Sequence, residues 1–264
     1  MARKDGNFLR GALGPYVYRV VRGKQVVSMR PVRGKMKQTP KTKKSNQAFG
    51  LATMIGRYLR ESVINGINGY SDDEMNNRLT TLLVQSLAES RDPQTGSYAF
   101  LEDSFSTLEG FEFNRNSKLS NQMASEPAVA INNGILTVTI PQNQIDFTFK
   151  FPRNTFVCRI VVYVSLFRPE DWFTTKNVES QTVMITRNKP VMEEQKFTFA
   201  IPDGCLCLVS TFLQYANYGP EDMVFINNQK FNPGQICAAF ITPGVFQDDE
   251  RLWIKMEKIF RPEK

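Results

Sequence analysis

Alternation of apolar and polar residues near the amino terminus predicts a β-hairpin. Residues 16–21 and 25–30 are rich in β-branched and aromatic side chains, and Gly23 lies in the short link between them. Successive side chains of a strand point to opposite faces, so five of them share the more apolar face: Tyr16, Tyr18, Val20, Val27 and Met29. Arg19 and Arg30 then project from the more polar face. Since a single hairpin is only marginally stable, we expect it to dock on its own body, a neighbouring copy or a ligand.

Two stretches with the period of an amphipathic helix follow the hairpin. Their predicted buried stripes are Phe49, Ala52, Ile55, Leu59 and Val63 in the first, and Met75, Leu79, Leu82, Leu83 and Leu87 in the second. Ser71 and Glu74 have the spacing of a capping box, which predicts that the second helix starts at Ser71. The short connection between the helices predicts an antiparallel pair.

Beyond residue 110 the period changes to two, which indicates half-buried strands. It is clearest at Leu136, Val138 and Ile140, and then at Phe147, Phe149 and Phe151. Residues 156–167 are apolar on both faces, which is typical of a central strand. Further strand-like runs are separated by Pro, Gly, Asn and Asp clusters: 181–187, 197–201, 205–215, 223–226, 236–241 and 252–260.

Consecutive strands without crossover helices predict a mainly β, α+β fold. We expect an antiparallel β-sandwich, Ig-like or jelly-roll-like, preceded by a helical pair and a β-hairpin arm. The predicted domains are the arm at 1–44, the helical pair at 45–92 and the sandwich at 110–264.

Charge divides the chain at the end of the arm. Residues 1–44 hold thirteen basic residues and one acid, a net charge of +12, whereas residues 45–264 hold twenty bases and twenty-five acids, a net charge of −5. Residues 32–44 are poor in apolar side chains and dense in positive charge, which predicts a mobile or ligand-ordered linker. The amino terminus lacks an uninterrupted apolar stretch and residues 155–167 are too short for a membrane helix, so we expect a soluble, cytoplasmic protein without membrane insertion.

The arm is the strongest candidate binding site. Such positive charge attracts phosphate backbones or acidic protein surfaces, and tyrosines between arginines can stack on bases or simply be strand residues. The candidate partner- or polyanion-binding residues are Arg10, Tyr16, Tyr18, Arg19, Arg22, Lys24, Arg30, Arg33, Lys35, Lys37, Lys41, Lys43 and Lys44. A solubilising tail is the simpler alternative.

No classical catalytic motif is evident. The chain has no histidine, which removes Ser-His-Asp and Cys-His nucleophiles and the HExxH zinc motif. The four cysteines lie in strand-like runs, and the close pair Cys205 and Cys207 points to one face, so we expect buried reduced thiols and no metal.

Two remaining features also favour a binding protein over an enzyme. Adjacent acids at 170–171 and 248–250 are more typical of solvated loops than of acid–base pairs. Trp172, Phe173 and Trp253 are more typical of packing or of an intersubunit contact than of a ligand face. We expect no enzyme activity, no cofactor and no small-molecule substrate.

The run GALGPYVYRVVRGKQVVSMRP at the amino terminus, followed by TPKTKKSNQAF, resembles a family of uncharacterised Bacteroidetes proteins. Later stretches are similar as well: GFEFN, PAVAINNGILTVTI and FAIPDGCLCLVSTFLQYA. The resemblance covers roughly half of the chain and departs between Arg168 and Glu194. It implies a shared fold and arm and carries no catalytic residue.

Two functions are compatible with this sequence. The first is a structural subunit, virion-like or filament-like, that forms homo-oligomers because its arm adds strands to a neighbour whose body is acidic. The alternative is a nucleic-acid-binding protein whose arm grips phosphate backbones. The expected partners are therefore copies of the chain, nucleic acid or an acidic protein surface.

Overall fold

The computed structural model describes residues 2–21, 23–30, 39–219 and 222–257. Within it the chain forms two compact units, Met1–Ser45 and Asn46–Lys264. We call the second unit the body. No helix among these residues is both long and apolar enough to cross a membrane.

The first unit contains a four-stranded antiparallel sheet, which we call the arm sheet. Its strands follow chain order and are β1 (Arg3–Asp5), β2 (Phe8–Leu13), β3 (Tyr16–Val21) and β4 (Lys24–Met29). The predicted hairpin is confirmed, since Tyr16 lies opposite Met29 and Tyr18 opposite Val27. Strands β1 and β2 were not predicted. Gly6 in the turn that joins them has a φ of 59°, which only glycine adopts freely.

Three helices follow: α1 (Pro40–Ser62), α2 (Ile64–Ile67) and α3 (Met75–Glu89). The linker was predicted over residues 32–44. This prediction is wrong from Pro40 onward, where α1 begins, and residues 32–38 lie outside the described residues. The stripe from Ala52 to Val63 is buried as predicted, but Phe49 is 58% exposed. In α3 the predicted stripe is buried except for Leu82, which is only partly covered.

The predicted capping box at Ser71 is wrong. Helix α3 starts at Met75, and the neighbouring Asp72 carboxylate accepts the Glu74 N–H at 2.9 Å. A carboxylate accepts such bonds better than a hydroxyl, because its bonds are charge-assisted. The two long helices are antiparallel, since the Arg60 side chain reaches Asn76 while Gly56 faces Leu79 and Leu83 further along α3.

The main sheet of the body is built around two long antiparallel strands, β8 (Val157–Arg168) and β13 (Leu206–Tyr218). Strand β8 pairs on both sides, which confirms the predicted central strand, although Phe156 precedes it and is 54% exposed. The remaining strands of this sheet are β9 (Phe173–Thr175), β10 (Glu179–Thr186), β14 (Met223–Phe225), β15 (Gly234–Ile241) and β16 (Trp253–Lys255).

A smaller sheet covers one face of the main sheet. It contains β5 (Ala128–Asn132), β6 (Ile135–Ile140) and β12 (Gln195–Ala200), and a two-stranded piece pairs β7 (Asn143–Gln144) with β11 (Val191–Met192). Short helices complete the body: a 3-10 turn at Ser106–Leu108, α4 (Leu119–Gln122) and α5 (Ile145–Thr148).

The strand predicted around Phe147 is wrong, because α5 occupies this position. The Phe149 N–H donates to the Ile145 carbonyl at 2.8 Å, and both of these side chains are buried. Phe147 lies between them in sequence and is 82% exposed. Two buried residues four apart are typical of a helical turn. The alternation of Phe147, Phe149 and Phe151 pointed instead to a strand.

Two apolar cores lie on opposite faces of the main sheet. On β8, Val161 and Tyr163 face α1 and α3, while Ile160, Val162 and Val164 face the smaller sheet. The body is therefore an α+β antiparallel β-sandwich with helices on its outer face, as the alternation of residues predicted.

All four cysteines are free thiols. Cys158 and Cys207 are buried within the core shared by the two sheets, and Cys205 precedes β13 instead of lying in it. Burial raises the pKa of Cys205 to about 12 and that of Cys237 to about 11. These thiols are therefore protonated and unreactive at neutral pH.

Candidate assembly interface

The arm sheet presents an open face that is mainly apolar. The register places Leu13, Tyr16 and Met29 in one row across three strands, and Tyr18 beside Val27 in the next row. We call these five side chains the apolar face. Leu13 is 57%, Tyr16 46%, Val27 50% and Met29 75% exposed.

No described residue between 2 and 30 is buried. A sheet of three or more strands normally becomes stable by covering one hydrophobic face with another layer. Each fully exposed aliphatic or methionine side chain forgoes about 1.5–3 kcal/mol of burial free energy. The apolar face is therefore the part of the arm that gains most from a partner.

A side-chain bridge holds β2 against the hairpin where regular pairing stops. Pairing of β2 with β3 covers Gly11 to Leu13, and Gly11 has a φ of 111°. Beyond this point the Gln25 amide accepts the Leu9 N–H at 2.7 Å and donates to the Leu9 carbonyl at 3.0 Å. The Gln25 side chain thus satisfies the backbone groups of Leu9 where β2 no longer pairs with β3.

The structure separates the predicted arm residues instead of gathering them into one site. Tyr16 and Tyr18 are on the apolar face, whereas Arg19 is exposed on the opposite face and donates to the Ser28 hydroxyl at 3.2 Å. Arg10 forms an ion pair of 2.7 Å with Asp5, the single acid of the unit. Lys24, the first residue of β4, and Arg30, which follows its last residue, are both exposed.

The other candidate positions are in α1 or outside the described residues. Lys41, Lys43 and Lys44 fall in the first turns of α1, and the last two are exposed. Arg22, Arg33, Lys35 and Lys37 lie outside the described residues. With one acid against thirteen bases in its sequence, the unit cannot neutralise its own charge.

In the body, the edge strands differ in how they are covered. The outer edge of β15 is closed by residues 102–113: the Gly110 N–H donates to the Ile236 carbonyl at 2.9 Å and the Ile241 N–H to the Glu102 carbonyl at 2.9 Å. The edge of β12 is met by the Gln181 side chain, which donates to the Thr198 carbonyl at 2.6 Å. Among the described residues, β5 pairs with β6 alone.

An acidic cleft of about 980 Å³ lies at the end of β5. Its wall includes the tip of the β5–β6 hairpin and five charged residues: Glu102, Asp203, Asp248, Asp249 and Arg251. Arg251 already forms ion pairs with Asp249 and Glu179. Within the described part of the chain, Glu102 and Asp203 have no ion-pair partner and are exposed. The cleft therefore has a surplus of negative charge.

Three of the acids noted at 170–171 and 248–250 form local contacts: Asp171, Asp248 and Asp249. Arg168 pairs with Asp171 and stacks over the Phe246 ring at 4.0 Å. Burial opposes ionisation of Asp249, but the Trp253 indole N–H at 2.8 Å and the Arg251 guanidinium keep the pKa of that carboxyl below its ordinary value. These carboxylates therefore form ion pairs and hydrogen bonds within the loops around the two sheets.

The two tryptophans, which the sequence analysis favoured as packing residues over a ligand face, are packed among other side chains. Trp172 meets the Tyr98 ring edge to face at 6.0 Å and packs against the helix-side core. Trp253 packs against the core between the sheets and meets Phe246 at 5.1 Å. Both tryptophans therefore help to hold their loops on the body.

Sequence reasoning missed three features of this interface. It did not identify Leu13, the free edge of β5 or the acidic cleft. Asp5 pairs with Phe8, so Gly6-Asn7 is the two-residue loop of this hairpin; Gly-Asn is a common hairpin turn and could have revealed β1 and β2, and with them Leu13. No sequence pattern could have revealed the cleft, because its acids are far apart in the chain.

Comparison with known proteins gives no relative. No family model, curated protein or solved structure matches this chain.

Proposed function

We propose that this protein is a structural subunit that assembles into homo-oligomers through its arm. The observation that carries the proposal is the apolar face: a four-stranded sheet whose exposed side chains include Leu13, Val27 and Met29, without a buried residue in its described part. Such a surface is the normal mark of a protein–protein contact. Transfer of an arm to a neighbour joins subunits head to tail, which gives rings or filaments.

The chemistry of the apolar face favours a protein partner over nucleic acid. Phosphate backbones are bound by cations and amides, and bases by aromatic planes. Neither Leu13, Val27 nor Met29 supplies such a contact, and all three gain free energy only by leaving water. Positive charge on the same unit fits an acidic protein surface, and the body carries a net charge of −5.

Two adjacent valines of β4 provide a matched test. Val27 is on the apolar face and 50% exposed, whereas Val26 is on the opposite face and 37% exposed. V27K places an unpaired ammonium in the proposed contact, and we expect it to weaken assembly at least about tenfold in sedimentation velocity, a loss of ~1.4 kcal/mol or more. V26K adds the same charge and should assemble like the wild type.

Lysine is chosen because it does not lower the positive charge of the arm. A loss of assembly in V27K therefore cannot come from weaker attraction to an acidic surface. If V27K and V26K sediment alike, or if the wild type remains monomeric after nuclease treatment, a high-salt wash and return to low salt, the proposal is wrong. A particle that disappears with nuclease treatment and retains its size in V27K would instead favour the nucleic-acid function.

A further inference from the structure

We infer that the free edge of β5, together with the adjoining acidic cleft, receives β4 from the arm of a second copy of this chain. This inference rests on the proposed function and names the strand edge at which the arm pairs, in addition to the covering of its apolar face. The contact would extend the smaller sheet of one subunit by the arm sheet of another, with main-chain hydrogen bonds along β5 and ion pairs at its end.

The backbone of β5 has N–H and C=O groups that are oriented for such pairing. Asn133 and Gly134 have φ values of 49° and 73°, the signature of a two-residue type I′ turn, so Asn132 and Ile135 form the hydrogen-bonded pair that closes it. Hydrogen-bonded and non-hydrogen-bonded pairs alternate along an antiparallel ladder. The N–H and C=O groups of Val129 and Ile131 therefore point away from β6, toward the free edge.

Among the described residues, β5 lacks the features that commonly protect an edge strand. Natural edges are protected by lysines, bulges or a covering segment. Strand β5 reads AVAIN without a charged residue, and its register with β6 is regular over five pairs. Of the two edge strands of the smaller sheet, β12 is met by Gln181, whereas no hydrogen bond between described residues reaches the outer edge of β5.

Charge complementarity favours the arm as the segment that binds the β5 edge and the acidic cleft. The cleft reached by Ile131 and Asn132 holds four acids and one base, whereas the arm carries +12. In the arm sheet, β4 is the longer of the two edge strands and has Lys24 and Arg30 at its ends. A β4 strand laid along β5 therefore brings a positive end toward Glu102 and Asp203.

Two variants test the edge without changing the arm. V129P removes an N–H that faces the free edge, and V129A is its control, because it loses similar side-chain packing but keeps the N–H. We expect V129P to weaken assembly at least about tenfold and V129A to assemble nearly like the wild type. The double variant Glu102→Lys with Asp203→Lys changes exposed side chains only, and we expect it to assemble at least about fivefold more weakly at low salt.

Mixing separates this inference from the proposed function. V27K keeps an intact β5 edge and V129P keeps an intact arm, so the mixture should form a one-to-one heterodimer although each variant alone is monomeric. If V27K dissociates the assembly while V129P and the charge-reversed double variant assemble normally, the arm binds elsewhere and only this inference fails. If V27K also assembles normally, the proposed function fails with it. Absence of a heterodimer from two folded, monomeric variants would contradict an arm-to-edge contact as well.

Discussion

Phe212 shows at the scale of single residues what sequence patterns cannot supply. Its ring lies so close to the Gly66 and Gly234 backbones that a Cβ added at Gly234 would come within 2.2 Å of a ring carbon. The sequence predicts that Phe212 is in a strand, but it does not show that two distant glycines leave space for the ring. Close packing of this kind depends on which elements meet, and that is a property of the tertiary fold.

Glu112 makes the stability of the body depend on pH. Burial raises the pKa of this carboxyl to about 7 from 4.5, against the opposing effect of the Leu119 N–H, which donates to Glu112 at 2.9 Å. The folded state therefore keeps a proton that the unfolded chain has lost between these two pH values. Its stabilising effect is complete below pH 4.5 and is lost as pH rises through about 7.

E112Q should remove this pH dependence. From about pH 5 to about pH 8, we expect the wild type to lose on the order of 1 kcal/mol more unfolding free energy than E112Q, a value reduced by partial solvation of the side chain. Urea unfolding at both pH values measures the difference. Equal changes in the two proteins would show that Glu112 is ionised throughout this range.

At the scale of elements, the hydrophobic pattern predicted secondary structure correctly where a single period extended over a whole segment. The hairpin of β3 and β4 follows from alternation of apolar and polar residues, and the central strand β8 follows from a run that is apolar on both faces. The prediction failed around α5, where three alternating phenylalanines outweighed the buried pair Ile145 and Phe149. It also failed at the start of α3, where Asp72 competes with Ser71 for the same backbone N–H groups.

The Gln25 bridge predicts how β2 is attached to the arm sheet. Q25A removes the amide that accepts the Leu9 N–H, and we expect hydrogen exchange at Leu9 to become roughly 5–10 times faster, the effect of losing about 1 kcal/mol of hydrogen bonding. NMR-detected exchange measures this amide directly. K24A, at a neighbouring exposed position, should leave Leu9 unchanged. An unchanged Leu9 rate in Q25A would mean that the side-chain bridge does not hold β2.

At the scale of the whole molecule, the sequence predicts the sandwich and the charge asymmetry. Both follow from quantities that are local or additive: strands in succession without crossover helices, and charge counted along the chain. The free edge of β5 and the acidic cleft depend on which strands pair and which loops meet at one end of the body. These two features are the place where we propose that the positive arm of a second copy binds.

The central claim is that the first forty-odd residues exist to engage another copy of the chain. Sedimentation velocity of the full-length protein and of a chain lacking residues 1–44, both treated with nuclease, washed at high salt and returned to low salt, tests it most directly. We expect the full-length chain to form concentration-dependent oligomers that weaken as salt is raised, and the shortened chain to be a folded monomer. Equal assembly of the two chains, or a monomeric full-length protein at every concentration, would contradict the claim.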